Sequence, residues 1–127
     1  MNLDTTIGQR LLGLSVTDDT TCLCLETDSG DYLVNFGMNT WLHSIKEASF
    51  GGVLLGFTLS RSWITRTELE TVTTYELQLR TTSGQVVVEV QATAPLFDFR
   101  MGQHFKKLEP AEFLLAGLVS FEAGDGL

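Results

Sequence analysis

The chain carries one β-hairpin twice. The first copy reads Cys22-Leu23-Cys24-Leu25-Glu26-Thr27-Asp28-Ser29-Gly30-Asp31-Tyr32-Leu33-Val34, and the second reads Glu76-Leu77-Gln78-Leu79-Arg80-Thr81-Thr82-Ser83-Gly84-Gln85-Val86-Val87-Val88. A Leu-Leu-Gly segment precedes each copy, at residues 11–13 and 54–56. Because Ser-Gly suits a tight hairpin turn, in which Gly supplies a positive φ, the sequence predicts two units of three antiparallel strands. We place these internal repeats at about residues 11–37 and 54–93.

Superposing the two copies on their turn glycines separates the faces of the predicted strands. Leucines alternate with other residues at period two in both copies, which is typical of half-buried antiparallel strands. The opposite face of the middle strand carries cysteines in the first copy and is polar in the second. The same alternation gives a predicted core of Leu14, Val16, Leu23, Leu25, Val34, Phe36, Leu42, Ile45, Leu55, Phe57, Leu59, Leu77, Leu79, Val86, Val88 and Val90.

The second copy contains an insertion. Gly13 and Gly30 are 17 positions apart, whereas Gly56 and Gly84 are 28 apart, so the second copy has gained 11 residues between Ser60 and Thr74. Function tends to lie on segments added to a rigid scaffold. We therefore predict that residues 61–73 form part of a binding surface. A tryptophan here either caps an edge of the core or forms a contact hot spot. The candidate residues are Trp63, Arg61, Arg66, Glu68 and Glu70.

Two helices complete the predicted fold. Asn39 or Thr40 can cap a helix that runs from Thr40 to Ala48, with Trp41, Leu42, Ile45 and Ala48 as its apolar stripe. A second helix begins at Glu109–Pro110 and contains the apolar terminal segment, and the alternative is a helix to about Ala116 followed by a short strand. The predicted class is α+β: two β-β-β repeats joined by a helix form a curved antiparallel sheet or half-open barrel, which a C-terminal helix covers.

Length and composition predict a single globular domain at residues 1–127, with 43% hydrophobic and 19% charged residues. The net charge is −8, from 16 acidic and 8 basic side chains, so we expect neither nucleic-acid binding nor attachment to an anionic membrane. No apolar run approaches the ~20 residues of a membrane span. The segment Met1-Asn2-Leu3-Asp4 does not resemble a signal peptide. These features predict a cytoplasmic protein.

Few residues of the sequence indicate a catalytic or metal-binding site. Cys22 and Cys24 lie two apart, but a closed zinc site needs about four ligands, and His43 and His104 stand at unrelated spacings. The chain has neither a phosphate-binding loop nor a nucleophile elbow. We therefore expect no metal, no cofactor and no enzymatic activity. One basic cluster is a candidate anion contact: Arg100, His104, Lys106 and Lys107.

The Leu-Leu-Gly start, the strand pair ending in Thr-x-Ser-Gly and the strand that follows resemble small β-rich bacterial domains of uncharacterised function. This resemblance covers roughly residues 11 to 93. Some similar acidic domains act as immunity proteins against toxins. The resemblance implies binding to a protein, in the manner of an immunity protein or inhibitor, and it assigns no catalytic residue.

Two functions follow as hypotheses. The first is non-enzymatic binding of a protein; the alternative is binding of a small apolar ligand in a pocket of the curved sheet.

The apolar segment 113–121 also predicts a homodimer through this segment or a sheet edge beside it. Within one chain, the same segment could instead close the open side of the sheet. The candidate dimer interface is Phe113, Leu114, Leu118 and Phe121.

Overall fold

The computed structural model describes residues 3–35, 39–93, 105–109 and 118–120. A four-residue 3-10 helix at Leu3–Thr6 precedes the strands. The strands are β1 Leu11–Thr17, β2 Cys22–Thr27, β3 Gly30–Asn35, β4 Thr40–Glu47, β5 Leu54–Arg66, β6 Thr71–Thr81, β7 Gly84–Ala92, β8 Phe105–Leu108 and β9 Leu118–Ser120.

The strands form two antiparallel sheets. One sheet has the order β8-β3-β2-β1-β9 and the other has the order β4-β7-β6-β5. Each predicted repeat is a three-stranded meander within its own sheet, at the centre of the five-stranded sheet and at one edge of the four-stranded sheet. The two meanders also share their register: Leu14 lies opposite Leu25 in the first, and Phe57 lies opposite Leu79 in the second.

The two hairpin turns agree in their hydrogen bonds. The Thr27 hydroxyl donates to the carbonyl oxygen of Gly30 at 2.7 Å, and the Thr81 hydroxyl donates to that of Gly84 at 3.1 Å. Gly30 and Gly84 have φ values of 136° and 147°, a region that a residue with a Cβ rarely adopts. The Thr-x-Ser-Gly pattern therefore encodes the same turn twice.

The repeats exchange the strands that follow them. The strand after the first repeat, β4, pairs with β7 of the second, and the strand after the second repeat, β8, pairs with β3 of the first. The backbone also links the repeats where they begin. The Leu11 amide donates to Gly52 at 2.9 Å, and the Leu54 amide donates to Gln9 at 2.8 Å. The two halves thus contribute strands to each other's sheets.

A single core lies between the sheets. Its buried side chains come from the five-stranded sheet, as with Leu23 and Val34, and from the four-stranded sheet, as with Leu77 and Val88. Alternation within each strand sends these side chains to one face, so the two sheets pack as layers. The predicted core residues of the described strands are buried with two exceptions, Leu55 and Leu59. Phe36 lies outside the described residues.

A β-bulge explains the Leu55 error. The pairing of β5 with β6 shifts between Leu54 and Gly56, and that of β1 with β2 shifts at the equivalent place, between Leu11 and Gly13. The extra residue of each bulge, Leu55 or Leu12, points away from the core, while the preceding leucine is fully buried. Strict period-two counting selects the wrong leucine here. Leu59 is exposed for a different reason: it lies where β5 begins to extend into the insertion.

The predicted helix Thr40–Ala48 is wrong, because this segment is strand β4. Its pairing with β7 shifts twice, between Leu42 and Ser44 and between Ile45 and Glu47. The first shift turns Leu42 and Ile45 to the same side, and both are buried. A bulged strand thus reproduces the three-residue spacing of a helical stripe.

The α+β class and the C-terminal helix are also contradicted. The described C-terminal residues lie in strands β8 and β9, and the described part of the chain contains no helix beyond the 3-10 helix. Residues 110–117, where the helix was expected, lie outside the described part. The repeats do not form one curved sheet or a half-open barrel, because each repeat belongs to a separate sheet. The fold is therefore a two-layer, all-β arrangement.

Candidate binding surface

The insertion is an extension of the β5–β6 hairpin, and we call residues 61–73 the arm. Strand β5 has 13 residues where β1 has 7, and β6 has 11 where β2 has 6. Strand β7 pairs with β6 as far as Thr73. Beyond that point, the described part of the arm is a ribbon of two strands. The Thr67 hydroxyl accepts from the Glu70 amide at 3.1 Å and closes the turn at its end.

The arm exposes large apolar side chains. Leu69 at the tip is 96% exposed and Ile64 is 58% exposed. Leu59, at the base of the arm, is about half exposed. Arg66, Glu68 and Glu70 lie beside them and are exposed. Such a mixture of exposed aliphatic and charged groups on a projecting ribbon is suited to contact with another macromolecule.

The candidate residue Trp63 belongs to a row that crosses the outer face of the four-stranded sheet. Trp41 lies opposite Gln91, Gln91 opposite Thr74, and Thr74 opposite Trp63. The Trp41 indole nitrogen donates to Gln91 Oε1 at 3.2 Å, and Gln91 Nε2 donates to Thr74 Oγ1 at 3.3 Å. The row places both tryptophans of the chain on this face. Sequence reasoning selected Trp63 but missed Trp41, because it assigned Trp41 to a helix packed on the sheet.

A second row carries charge. Glu89 and Glu76 lie directly opposite each other, and Arg61 follows Glu76 on β5. Glu89 is 5% exposed, and its carboxylate accepts from Lys46 Nζ at 3.1 Å and from the Ser44 hydroxyl at 3.2 Å. These two contacts join β4 to β7. Glu89 therefore has a structural role in holding the edge strand.

At the start of β5 a cation reaches the edge of the sheet. Gly56 lies opposite Arg80, and a Cβ built on Gly56 would stand 2.8 Å from Arg80 Nη2. The guanidinium group therefore lies over the glycine backbone. Beside it, Arg80 and the exposed Leu55 line a depression of about 460 Å³, together with Glu47, Gln78 and Gln85. The amide of Gln78 donates to Gln85 across this depression.

The structure does not assemble the other candidate residues into one site. Lys106 and Lys107 lie on β8, and Lys107 is exposed beside Gly30. Arg100 and His104 lie outside the described residues, as do Phe113, Leu114 and Phe121. Leu118 begins β9 and lies opposite Thr17.

The cysteines lie on the outer face of the five-stranded sheet. Cys22 and Cys24 are buried, and neither forms a disulfide. Burial, together with the negative charges of Asp31 and Glu26, raises the pKa of Cys24 to about 12. This thiol is protonated at neutral pH and is a poor nucleophile or ligand. Among the described residues, no group of three or more His, Cys, Asp or Glu side chains is placed to hold a metal ion.

One small space lies between the sheets. The space enclosed by Leu3, Leu25, Phe57 and their neighbours between the sheets measures about 10 Å³. Ligand pockets are typically about 300–1,000 Å³. This space between the sheets is therefore smaller than a ligand pocket.

The described residues include no helix with the length and apolarity needed to cross a membrane. Comparison with models of protein families, with curated proteins and with solved structures finds no match to this chain.

Proposed function

We propose that the protein is a non-enzymatic binding module that contacts a protein partner through the arm. The observation that carries this proposal is the difference between the repeats. The two meanders agree in register, bulge position and turn hydrogen bonds, and they depart from each other at the arm. Because the first repeat completes its meander with a short turn at Asp18–Thr21, the folding of such a unit does not require an arm.

The surface chemistry of the arm supports a protein partner. Leu69 and Ile64 offer apolar contact area, while Arg66, Glu68 and Glu70 surround it with charge. Protein interfaces combine an apolar centre with a polar rim in this way. The resemblance to immunity-protein-like domains also implies binding rather than catalysis. We propose a cytoplasmic location, where thiols such as Cys22 and Cys24 stay reduced.

Photo-crosslinking tests the proposal. A benzophenone amino acid replaces Leu69 in the full chain, and a matched variant carries it at Leu12. Leu12 is the control because it is 54% exposed but lies in the bulge of the first repeat, away from the arm. After irradiation in a lysate of the source organism, we expect a discrete protein adduct from position 69 and none from position 12.

A second pair of variants measures the contribution of the arm. Ile64→Ser with Leu69→Ser should remove the partner in a pull-down while leaving the melting temperature within about 2 °C, since exposed side chains contribute little to stability. Leu12→Ser is the control and should retain the partner. If position 69 gives no adduct, or if the double variant still captures the partner at the wild-type level, the arm is not the binding surface.

A further inference from the structure

Strand β5 forms the long edge of the four-stranded sheet. Strand β5 has 13 residues, whereas the other edge strands, β4, β8 and β9, have 8, 4 and 3. The segment Gly8–Leu11 bonds to the start of β5 and reaches no further than Leu54. In the described part of the chain, no strand pairs with the outer edge of β5 from Gly56 to Arg66. Edges of this kind accept a further strand.

The charge of this edge differs from that of the molecule. The net charge of the chain is −8, yet β5 contains Arg61 and Arg66 and no acidic residue. Strand β5 itself therefore adds no negative charge to the repulsion between two acidic molecules that approach along this edge.

The two ends of the edge are complementary to each other. At the start of β5, the guanidinium group of Arg80 lies over Gly56, beside the depression that Leu55 lines. Arg80 is exposed and forms no ion pair with any residue the structure describes. Beyond the other end of the strand, the tip of the arm presents the exposed side chains of Glu68 and Leu69. A guanidinium group and an exposed leucine, Leu55, thus stand at one end, and a carboxylate and an exposed leucine at the other.

We propose that the partner of the arm is a second copy of this chain, bound by antiparallel pairing of the two β5 edges about a two-fold axis. A pairing centred near Ser62 brings the turn beyond β5, which carries Glu68, in each copy toward the start of β5 in the other. Glu68 then reaches Arg80 of the second copy, and Leu69 lies beside its Leu55. The contact is isologous, so both ion pairs and both leucine contacts form at once. This proposal rests on the proposed function and names the partner of the same surface.

Sedimentation equilibrium with charge-reversal variants tests the dimer. We expect the wild-type chain to sediment at twice its mass of 14.0 kDa at micromolar concentration. Arg80→Glu and Glu68→Arg should each raise the dissociation constant about tenfold or more, because each reversal sets like charges together at two symmetric contacts. The double variant Arg80→Glu with Glu68→Arg should restore the wild-type constant, since it exchanges the two charges.

Matched controls separate this contact from a general effect of net charge. Lys107→Glu makes the same charge change as Arg80→Glu but lies on β8 of the other sheet, and Asp18→Arg matches Glu68→Arg in the short turn of the first repeat. Neither control should alter the dissociation constant. Arg80→Glu is compatible with the fold, because the first repeat already carries Glu26 opposite its equivalent glycine, Gly13.

Three results would overturn the proposal. One is a wild-type mass of 14.0 kDa up to about 100 μM, and another is a dimer that both single reversals leave unchanged. The third is a dimer that Leu118→Asp dissociates and Arg80→Glu does not, which would place the interface at the C-terminal segment. A monomer whose Leu69 position still crosslinks to a different protein would defeat self-association and leave the proposed function standing. The absence of any adduct at that position would defeat the proposed function itself.

Discussion

Adjacent leucines have opposite environments at the start of each repeat. In the second repeat Leu54 is 0% exposed and Leu55 is 51% exposed, and Leu11 and Leu12 repeat the contrast. The bulge produces this contrast, because it inserts one residue that has no opposite residue on the neighbouring strand. The side chain of the inserted residue therefore points away from the core. The two positions are chemically identical, and only the backbone geometry distinguishes them.

Alanine substitution should therefore separate the two leucines. We expect Leu54→Ala to lower the free energy of unfolding by about 2–5 kcal/mol, because it opens a cavity in the core, and Leu55→Ala to lower it by less than about 1 kcal/mol. Urea denaturation followed by circular dichroism measures both. Equal losses would mean that the bulge is absent or lies one residue away.

Each hairpin turn depends on a glycine that closes it. Gly30 and Gly84 both have positive φ values that L residues rarely adopt. The carbonyl oxygen of each glycine accepts a hydrogen bond from the hydroxyl of the threonine three residues earlier. A Cβ on Gly84 would also stand 3.2 Å from the Ser49 side chain. The turn thus requires glycine for its backbone and for space.

Gly84→Ala should destabilise the protein by about 1–3 kcal/mol, which is the usual cost of a non-glycine residue in such a conformation. Ser83→Ala in the same turn is the control, and we expect it to change the stability by less. Thermal unfolding of the two variants beside the wild type measures the difference. A neutral Gly84→Ala would show that the turn relaxes into another type.

Secondary structure could be predicted from the sequence where both repeats showed the same pattern independently. The strands of both repeats were predictable, because the leucine alternation and the Ser-Gly turn occur twice in the same register. Strand β4 was not, because its bulges imitate helical spacing, and neither was its pairing with β7. Without that pairing, nothing in the sequence places Trp41 in a row with Trp63. The position of the arm could be found by aligning the copies, but its form as a straight extension of β5 and β6 could not.

The exchange of strands makes the molecule one cooperative unit. Each sheet contains a meander from one repeat and an edge strand contributed from beyond the other, and a single core lies between them. Neither sheet can separate from the core without losing contacts on both sides. Small domains with one core usually unfold in a single transition.

We therefore expect two probes on different sheets to report the same urea midpoint. Both tryptophans lie in the four-stranded sheet, so their fluorescence follows that layer. Alkylation of Cys24 in a Cys22→Ser variant follows the other layer at pH 8. There the buried thiol is protonated, because its pKa is about 12, and it reacts when unfolding exposes it and returns the pKa toward 9.0. Two separated midpoints would show that the layers unfold independently.

The strand exchange also sets the order in which the chain can be completed during synthesis. The first meander emerges from the ribosome early, but its neighbours in the sheet, β8 and β9, are among the last described residues to be made. Until then, the nascent protein presents open strand edges, which are prone to wrong pairings. A fold built from a repeat of local hairpins thus completes the sheet of its first repeat only after the second repeat has been made.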